Sequence, residues 1–457
     1  MTEARLSQLE TLLRRHNPLT AAALGGMLGV SQPTVSRLLA SAGNSIVRIG
    51  KARASRYALS RQIGRAGSRW PLYRIRPEGQ PATLGELRAL HGESFHFAPA
   101  GPRPAFLHGE FADGLVPGLP WFLDDQRPQG FLGRAFARRV SADIAAPDDL
   151  GRWSADDIVL ALLRHGENGT GDLVLGEGTL QRALQAMLSP PAIAMSERAV
   201  RYPALADAAL AGEDIGSSAG GEQPKFTALL QATDGYRAVI VKFSERAGTP
   251  AAQRWADLLR CEYIASEILR THGIAAADIE LLEADGRVFL QSTRFDRTAM
   301  LGRCGLVSLS ALAAAYYGHG RIDWWAFAPQ LHRDGWLDTD DARTLALRGW
   351  FGALIGNSDM HLGNASLVLT DMRPLALAPS YDMLPMALRP ASTGELVRRD
   401  IAVPVPPPEH RADWCDAGAM AHAFWRRVAG EDAISAGFRQ LSSMQLAKLD
   451  QALERFG

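Results

Sequence analysis

The sequence predicts an α+β chain in four parts: a small basic unit, a weakly periodic stretch, a β-rich lobe and a mainly helical lobe. Three observations predict it. Residues 1–61 concentrate positive charge in a chain of formal net charge zero. Two Asp-Gly dipeptides, Asp234-Gly235 and Asp285-Gly286, each sit between β-prone runs. Asp359 and Asn364 stand five residues apart and are followed by a short ribbon pattern ending near Asp382. The length of 457 residues, with 47% hydrophobic and 21% charged side chains, describes an ordinary globular protein of several structural units. A run of about 18 uncharged apolar residues is lacking, so no membrane partner is expected. The N-terminus has no apolar signal core. Cys261, Cys304 and Cys415 lie far apart without a C-x-x-C pair and read as reduced thiols. A cytoplasmic location follows.

The first unit spans residues 1–62. Over 1–61 it carries nine basic side chains against Glu3 and Glu10. Leu6, Leu9, Leu12 and Leu13 recur at helical spacing. Thr20 to Leu39 reads as two helices joined at Gly29-Val30-Ser31, with Ser31 placed as a cap and Pro33 in the first turn of the second helix. Val35, Leu38 and Leu39 would then point inward, leaving Gln32, Thr34, Ser36 and Arg37 outside. Two short strands, Ile46–Ile49 and Arg56–Leu59, flank Lys51-Ala52-Arg53-Ala54. Charge, turn and wing together predict a winged helix-turn-helix that binds DNA through Gln32, Thr34, Ser36, Arg37, Lys51 and Arg53. A small protein-interaction domain with an incidental charge excess is the alternative.

Residues 63–175 are rich in Pro, Gly and Arg and suggest little beyond a strand at Phe106–Phe111 and helices near 155–164 and 179–187. Residues 176–295 form the β-rich lobe. Phe226–Leu230 and Tyr236–Phe243 flank the first Asp-Gly, and Ile279–Leu282 and Arg287–Gln291 flank the second, so two hairpins are expected. The helix between them has apolar positions at Trp255, Leu258, Leu259, Ala265 and Leu269. Glu262 falls on that buried stripe and needs a partner, for which Lys242 on an otherwise apolar strand is the candidate. Glu267 falls off the stripe. Alone, such a pair could be structural. Ahead of the first hairpin, Gly216 to Lys225 is a Gly-rich loop whose backbone N–H groups could cradle phosphates.

Residues 296–457 form the helical lobe. Asp359 and Asn364 match D-x-x-x-x-N, in which the Asp deprotonates an attacking hydroxyl and the Asn holds Mg²⁺ through its amide oxygen. Mg²⁺ takes hard oxygen ligands, and Asp382 can supply one. The ribbon of Ser366–Thr370 and Leu375–Ala378 would carry Asp382 back beside Asn364. His361 is expected mainly to shape the loop. Loop, Lys, Glu, Asp, Asn and Asp in this order predict an ATP-dependent kinase with a protein-kinase-like, two-lobed fold.

The segments Gln223-Pro224-Lys225, Val241-Lys242-Phe243, Arg294-Phe295-Asp296-Arg297, Asp359-Met360-His361-Leu362-Gly363-Asn364 and Ser380-Tyr381-Asp382-Met383-Leu384-Pro385 resemble the HipA family of toxin serine/threonine kinases. A fused winged helix is similar to the YjjJ-like branch of that family. The resemblance implies ATP and Mg²⁺ as cofactors, with Lys242 on the phosphates, Asp359 as base, and Asn364 with Asp382 on the metal. It implies nucleotide contacts from Ser218, Gly220, Gly221, Lys225, Glu262 and His361, and a hinge at the adenine over Gln291, Thr293 and Phe295. It also implies a translation-related protein substrate such as an aminoacyl-tRNA synthetase, autophosphorylation at Ser218 or less so Ser217, and an antitoxin as a possible partner. Tyr-Asp-Met replaces Asp-Phe-Gly, so control by a moving Phe is not expected. A transcription regulator that only senses nucleotide and a small-molecule phosphotransferase are the competing readings.

Overall fold

The computed structural model describes residues 2–104, 106–212, 223–391, 393–397 and 399–457. Ser217, Ser218, Gly220 and Gly221 lie outside the described residues. The front unit comprises α1 (Thr2–Arg15), β1 (Leu19–Thr20), α2 (Ala21–Leu28), α3 (Gln32–Ser41), β2 (Ile46–Ile49) and β3 (Arg56–Leu59). Leu9, Leu13, Leu24, Val35 and Leu38 form its core, and the strands pair antiparallel in the order β1-β3-β2. Gly29 ends α2 at φ 62°, a left-handed conformation that a side chain would strain. Ser31 takes the cap position of α3, but its hydroxyl makes no capping bond and meets Thr34 Oγ1 at 3.1 Å instead.

The weakly periodic stretch folds into β4 (Arg69–Ile75), β5 (Pro81–Leu90), β6 (Ser94–Pro99), β7 (Leu115–Pro117), α4 (Gly130–Ile144), α5 (Ala155–His165), β8 (Leu173–Leu175) and α6 (Glu177–Leu188). Its five strands make one antiparallel sheet, β7-β6-β5-β4-β8. The expected strand at Phe106–Phe111 does not form. Leu107 N turns back onto Pro104 O, and Gly109–Phe111 is a single 3-10 turn. Phe106 packs against Phe97, Trp121 and Phe122 there, so the apolar run is buried without strand pairing. This sheet also grips the front unit. Ser60 bridges Leu90, Arg61 N donates to Ala89 O at 3.0 Å, and Arg61 Nη2 donates to Asp156 Oδ1 at 2.6 Å.

The next lobe holds β9 (Ile193–Ala194), α7 (Arg198–Ala211), β10 (Lys225–Ala232), β11 (Gly235–Phe243), α8 (Pro250–Thr271), β12 (Ile279–Ala284) and β13 (Arg287–Thr293). Both Asp-Gly hairpins form, and the sheet order is β12-β13-β11-β10-β9. Strand alternation gives it two buried faces. Phe226, Val241, Phe243 and Phe289 pack with Tyr202 of α7, while Val288 and Leu290 pack with Leu259 of α8. Helix α8 is also fastened to the last lobe. Asp257 accepts from Ser435 N at 3.0 Å and Ser435 Oγ at 2.6 Å, and Arg254 Nη1 donates to Leu388 O at 2.9 Å.

Residues 294–303 join the lobes and are tied to the middle sheet. Asp296 accepts from Arg294, Arg297 and Gly171 N, Thr298 Oγ1 donates to Pro77 O, and Arg303 N donates to Arg76 O. Gly302 passes so close to Pro77 O that an added Cβ would lie 1.9 Å from it. Beyond stand β14 (Leu306–Ser308), α9 (Leu309–Tyr316), α10 (Trp324–Arg333), α11 (Thr339–Leu354), β15 (Ser366–Val368), β16 (Ala376–Leu377), α12 (Arg411–Gly430) and α13 (Ala436–Phe456). The expected ribbon is β15–β16, joined on its other side by β14. Among the described residues no helix is long and apolar enough to cross a membrane.

Candidate active site

Lys242 enters the site because β11 alternates: Val241 and Phe243 go under α7, so Lys242 faces α8. There its Nζ lies 2.6 and 2.7 Å from the two Glu262 oxygens and 2.5 Å from Asp382 Oδ1. Lys225 stands directly opposite Lys242 across the hairpin and is also buried. Two facing ammonium groups repel each other. Glu262 and Asp382 compensate them, giving a sunken group of two cations and two anions.

The electrostatics divide the two acids. Burial pushes the Asp382 carboxyl up, but Lys242 and Lys225 outweigh it, so it rests below the usual carboxylate range and stays ionised. For Glu262 burial dominates over the pull of Lys242, and its carboxyl is raised. Burial would lower the Lys242 ammonium, yet Asp382 and Glu262 more than offset this, and it remains charged.

The loop after α11 supplies the other half. Asn357 is buried; its Oδ1 accepts from Asp359 N at 3.0 Å and its Nδ2 donates to Asp382 O at 3.1 Å. Asn364 Nδ2 donates to Asp359 O at 2.9 Å, which commits the amide nitrogen to the loop and leaves the oxygen as its acceptor end. His361 Nδ1 accepts from Gly363 N at 3.0 Å, a bond within the loop, while its Nε2 is 3.9 Å from Asp359 Oδ1. The Asp359 side chain is 49% exposed and can meet a hydroxyl arriving from solvent. Asp382 adopts φ 53°, and Tyr381 Oη beside it donates to Gly363 O at 3.0 Å.

Lys225, Lys242, Asp359, His361 and Asp382 line one cleft of about 1200 Å³, while Glu262, Asn357 and Asn364 stand behind its wall. Gln129 and Gly130, at the start of α4, line it too, a contribution from the middle region that sequence reasoning missed. The sequence places Asn357 at the head of the catalytic segment but gives it no role of its own. Its signal was an Asn two residues before an Asp, the spacing of an Asx turn. The Gln291 side chain does not face α8. It alternates with Leu290, which faces α8, so it points to α7 and accepts from Tyr202 Oη at 2.7 Å and Arg198 Nη1 at 2.9 Å. Thr293 Oγ1 reaches Asp278 at 3.4 Å, and the Phe295 ring lies 5.8 Å from that of Tyr381.

On the front unit, Gln32, Ser36, Arg37 and Lys51 are exposed and Thr34 is half-buried. Arg53 stands in the 3-10 turn between β2 and β3, and its side chain lies outside what the structure describes. Two other basic residues are already engaged: Arg56 with Asp113 at 2.5 Å and Arg48 Nε with Ser55 Oγ at 3.0 Å.

Residues 66–184 match the family model of the YjjJ-like toxin middle domain, and residues 217–441 that of the HipA-like C-terminal domain. Toxin YjjJ of Escherichia coli K12 is 38% identical over 98% of this chain and 99% of that protein. Among solved structures, Shewanella oneidensis MR-1 HipA, in complex with HipB and its operator DNA, is similar over 84% of this chain and 97% of that one, with 14% identity and a TM-score of 0.49. The Helicobacter pylori proinflammatory kinase CtkA is similar over 52% of this chain and 91% of that one, with 13% identity and a TM-score of 0.36.

Proposed function

The chain belongs to the YjjJ-like toxins, with a HipA-like C-terminal domain, and from that premise we propose that it is an ATP-dependent serine/threonine kinase acting on a translation-related protein. The observation that carries the reading is a single ammonium, Lys242, bonded to both Glu262 and Asp382 in the cleft that Asp359 lines. Glu262 aims the ammonium, and Lys242 with Lys225 binds the phosphates of ATP. Asp359 orients the acceptor hydroxyl and takes its proton. Asp382, kept ionised, and the amide oxygen of Asn364 are the hard oxygen donors that suit Mg²⁺. When bound, that ion would neutralise charge on the phosphates. Ser218, or else Ser217, is the proposed autophosphorylation site, and an aminoacyl-tRNA synthetase the foremost candidate substrate.

The front unit is proposed to be a winged helix-turn-helix that binds DNA. The outward Gln32, Ser36 and Arg37 of α3 and the wing Lys51 support this, with Arg53 and the half-buried Thr34 assigned to the same surface. The kinase reading is tested by phosphoproteomics after induction, comparing wild type with Asp359→Asn. Protein phosphosites that vanish in the variant are expected. Transfer to a metabolite alone, or unchanged phosphosites in the variant, would overturn it.

A further inference from the structure

We propose that Asn357 is a positioning residue that sets the base Asp359 against the metal-side carboxylate Asp382. The inference rests on the kinase reading above. Asn357 is 6% exposed, and it uses both ends of one amide: the oxygen takes Asp359 N and the nitrogen gives to Asp382 O across 25 residues. Both bonds go to backbone, so they fix where each carboxylate starts rather than how its side chain turns. The second bond falls on a residue that needs it. Asp382 sits at φ 53°, which a residue with a Cβ adopts at a cost unless its surroundings impose it. On the other side of Asp359, the carbonyl is taken by Asn364 Nδ2. The Asp359 backbone is therefore clamped between two amides, one reaching Asp382 and the other belonging to its proposed metal partner.

The substitutions nearest in size or chemistry each lose part of this arrangement. Aspartate keeps the acceptor but loses the donor. Glutamine adds a methylene in a buried position where Met383 Sδ is already 3.8 Å from the amide nitrogen. Leucine matches the volume and makes neither bond.

The experiment uses the full chain with Asn357→Leu and Asn357→Asp. It measures ATP turnover, ADP affinity by calorimetry with and without Mg²⁺, and thermal denaturation. In Asn357→Leu, kcat is expected to fall on the order of 100-fold while KM for ATP moves only a few-fold, the mark of misplaced rather than missing groups. Asn357→Asp should fall less. In both, the gain in ADP affinity from Mg²⁺ should shrink, while metal-free ADP affinity, which depends on Lys225 and Lys242, stays. Wild-type kcat and wild-type Mg²⁺ gain in a folded Asn357→Leu would overturn the inference. So would a defect that disappears on cooling, since that is lost stability alone. If the wild type shows no Asp359-dependent transfer, the kinase reading fails, and the Mg²⁺ gain in ADP affinity still decides the role of Asn357. Wild-type ADP binding without any metal dependence overturns that role too.

Discussion

The molecule contains two five-stranded sheets that use their strands in opposite ways. The sheet β12-β13-β11-β10-β9 places charged groups on a buried face: Lys225 and Lys242 lie between its strands and α8. The sheet β7-β6-β5-β4-β8 carries none of the predicted site residues and serves as a junction. It bridges the front unit at Ser60–Leu90 and ties the lobe linker through Arg76 and Pro77. The first sheet holds chemistry in position by local alternation. The second holds whole regions in position by contacts between residues far apart in the chain.

The comparison can be broken most severely on the chemical side. Lys242→Ala and Asp382→Asn should each lower phosphate transfer on the order of 10³-fold or more, with the fold intact by circular dichroism. Asp382→Asn is the cleaner probe, because Asn tolerates the left-handed backbone and only the charge changes. On the structural side, Asp296→Ala strips a buried carboxylate from Arg294, Arg297 and Gly171 N. Denaturant unfolding should show a loss of about 3–5 kcal/mol, because buried guanidinium groups are left without their counter-charge.

A pH effect sharpens the contrast further. Asp125, between the middle region and β14, is pushed up to about 6 by burial, against the opposing bonds from Ser308. The folded protein therefore keeps this proton longer than the unfolded chain does. Its contribution is full below the ordinary carboxylate range and is lost as pH rises to about 6, at most about 3 kcal/mol. Asp125→Asn should flatten that slope in Tm measured from pH 4 to 7. The smallest effect belongs to the front unit. Arg37→Ala should weaken DNA binding a few-fold and reduce the salt slope by about one, as read by fluorescence anisotropy at several ionic strengths.

The same contrast explains what could be read from the chain. Both hairpins were legible because Asp-Gly between β-prone runs is a local signal, and Glu262 because its place on a helical stripe is arithmetic. The middle sheet was not. Pro71 and Gly85 interrupt its strand patterns, and an added Cβ at Gly85 would lie 2.3 Å from Ala98 O. Arg74 finds its partners in Asp172 and, 297 residues away, in Asp371. Gln291 enters the expected hinge through the family resemblance alone; the sequence shows that strand residues alternate, but not which face turns toward α7. Asn357 could be read as a turn residue; its second bond, to Asp382, needed the fold.

Helix α8 carries Glu262 and is fastened to the last lobe through Asp257 with Ser435 and Arg254 with Leu388. Swinging this helix outward would have to break those contacts as well as the bond between Glu262 and Lys242. Occupying the cleft, or changing the charge of a group that lines it, would silence the proposed activity and leave those contacts in place. An inhibitor shaped to the assembled site would likewise leave the helix fastened.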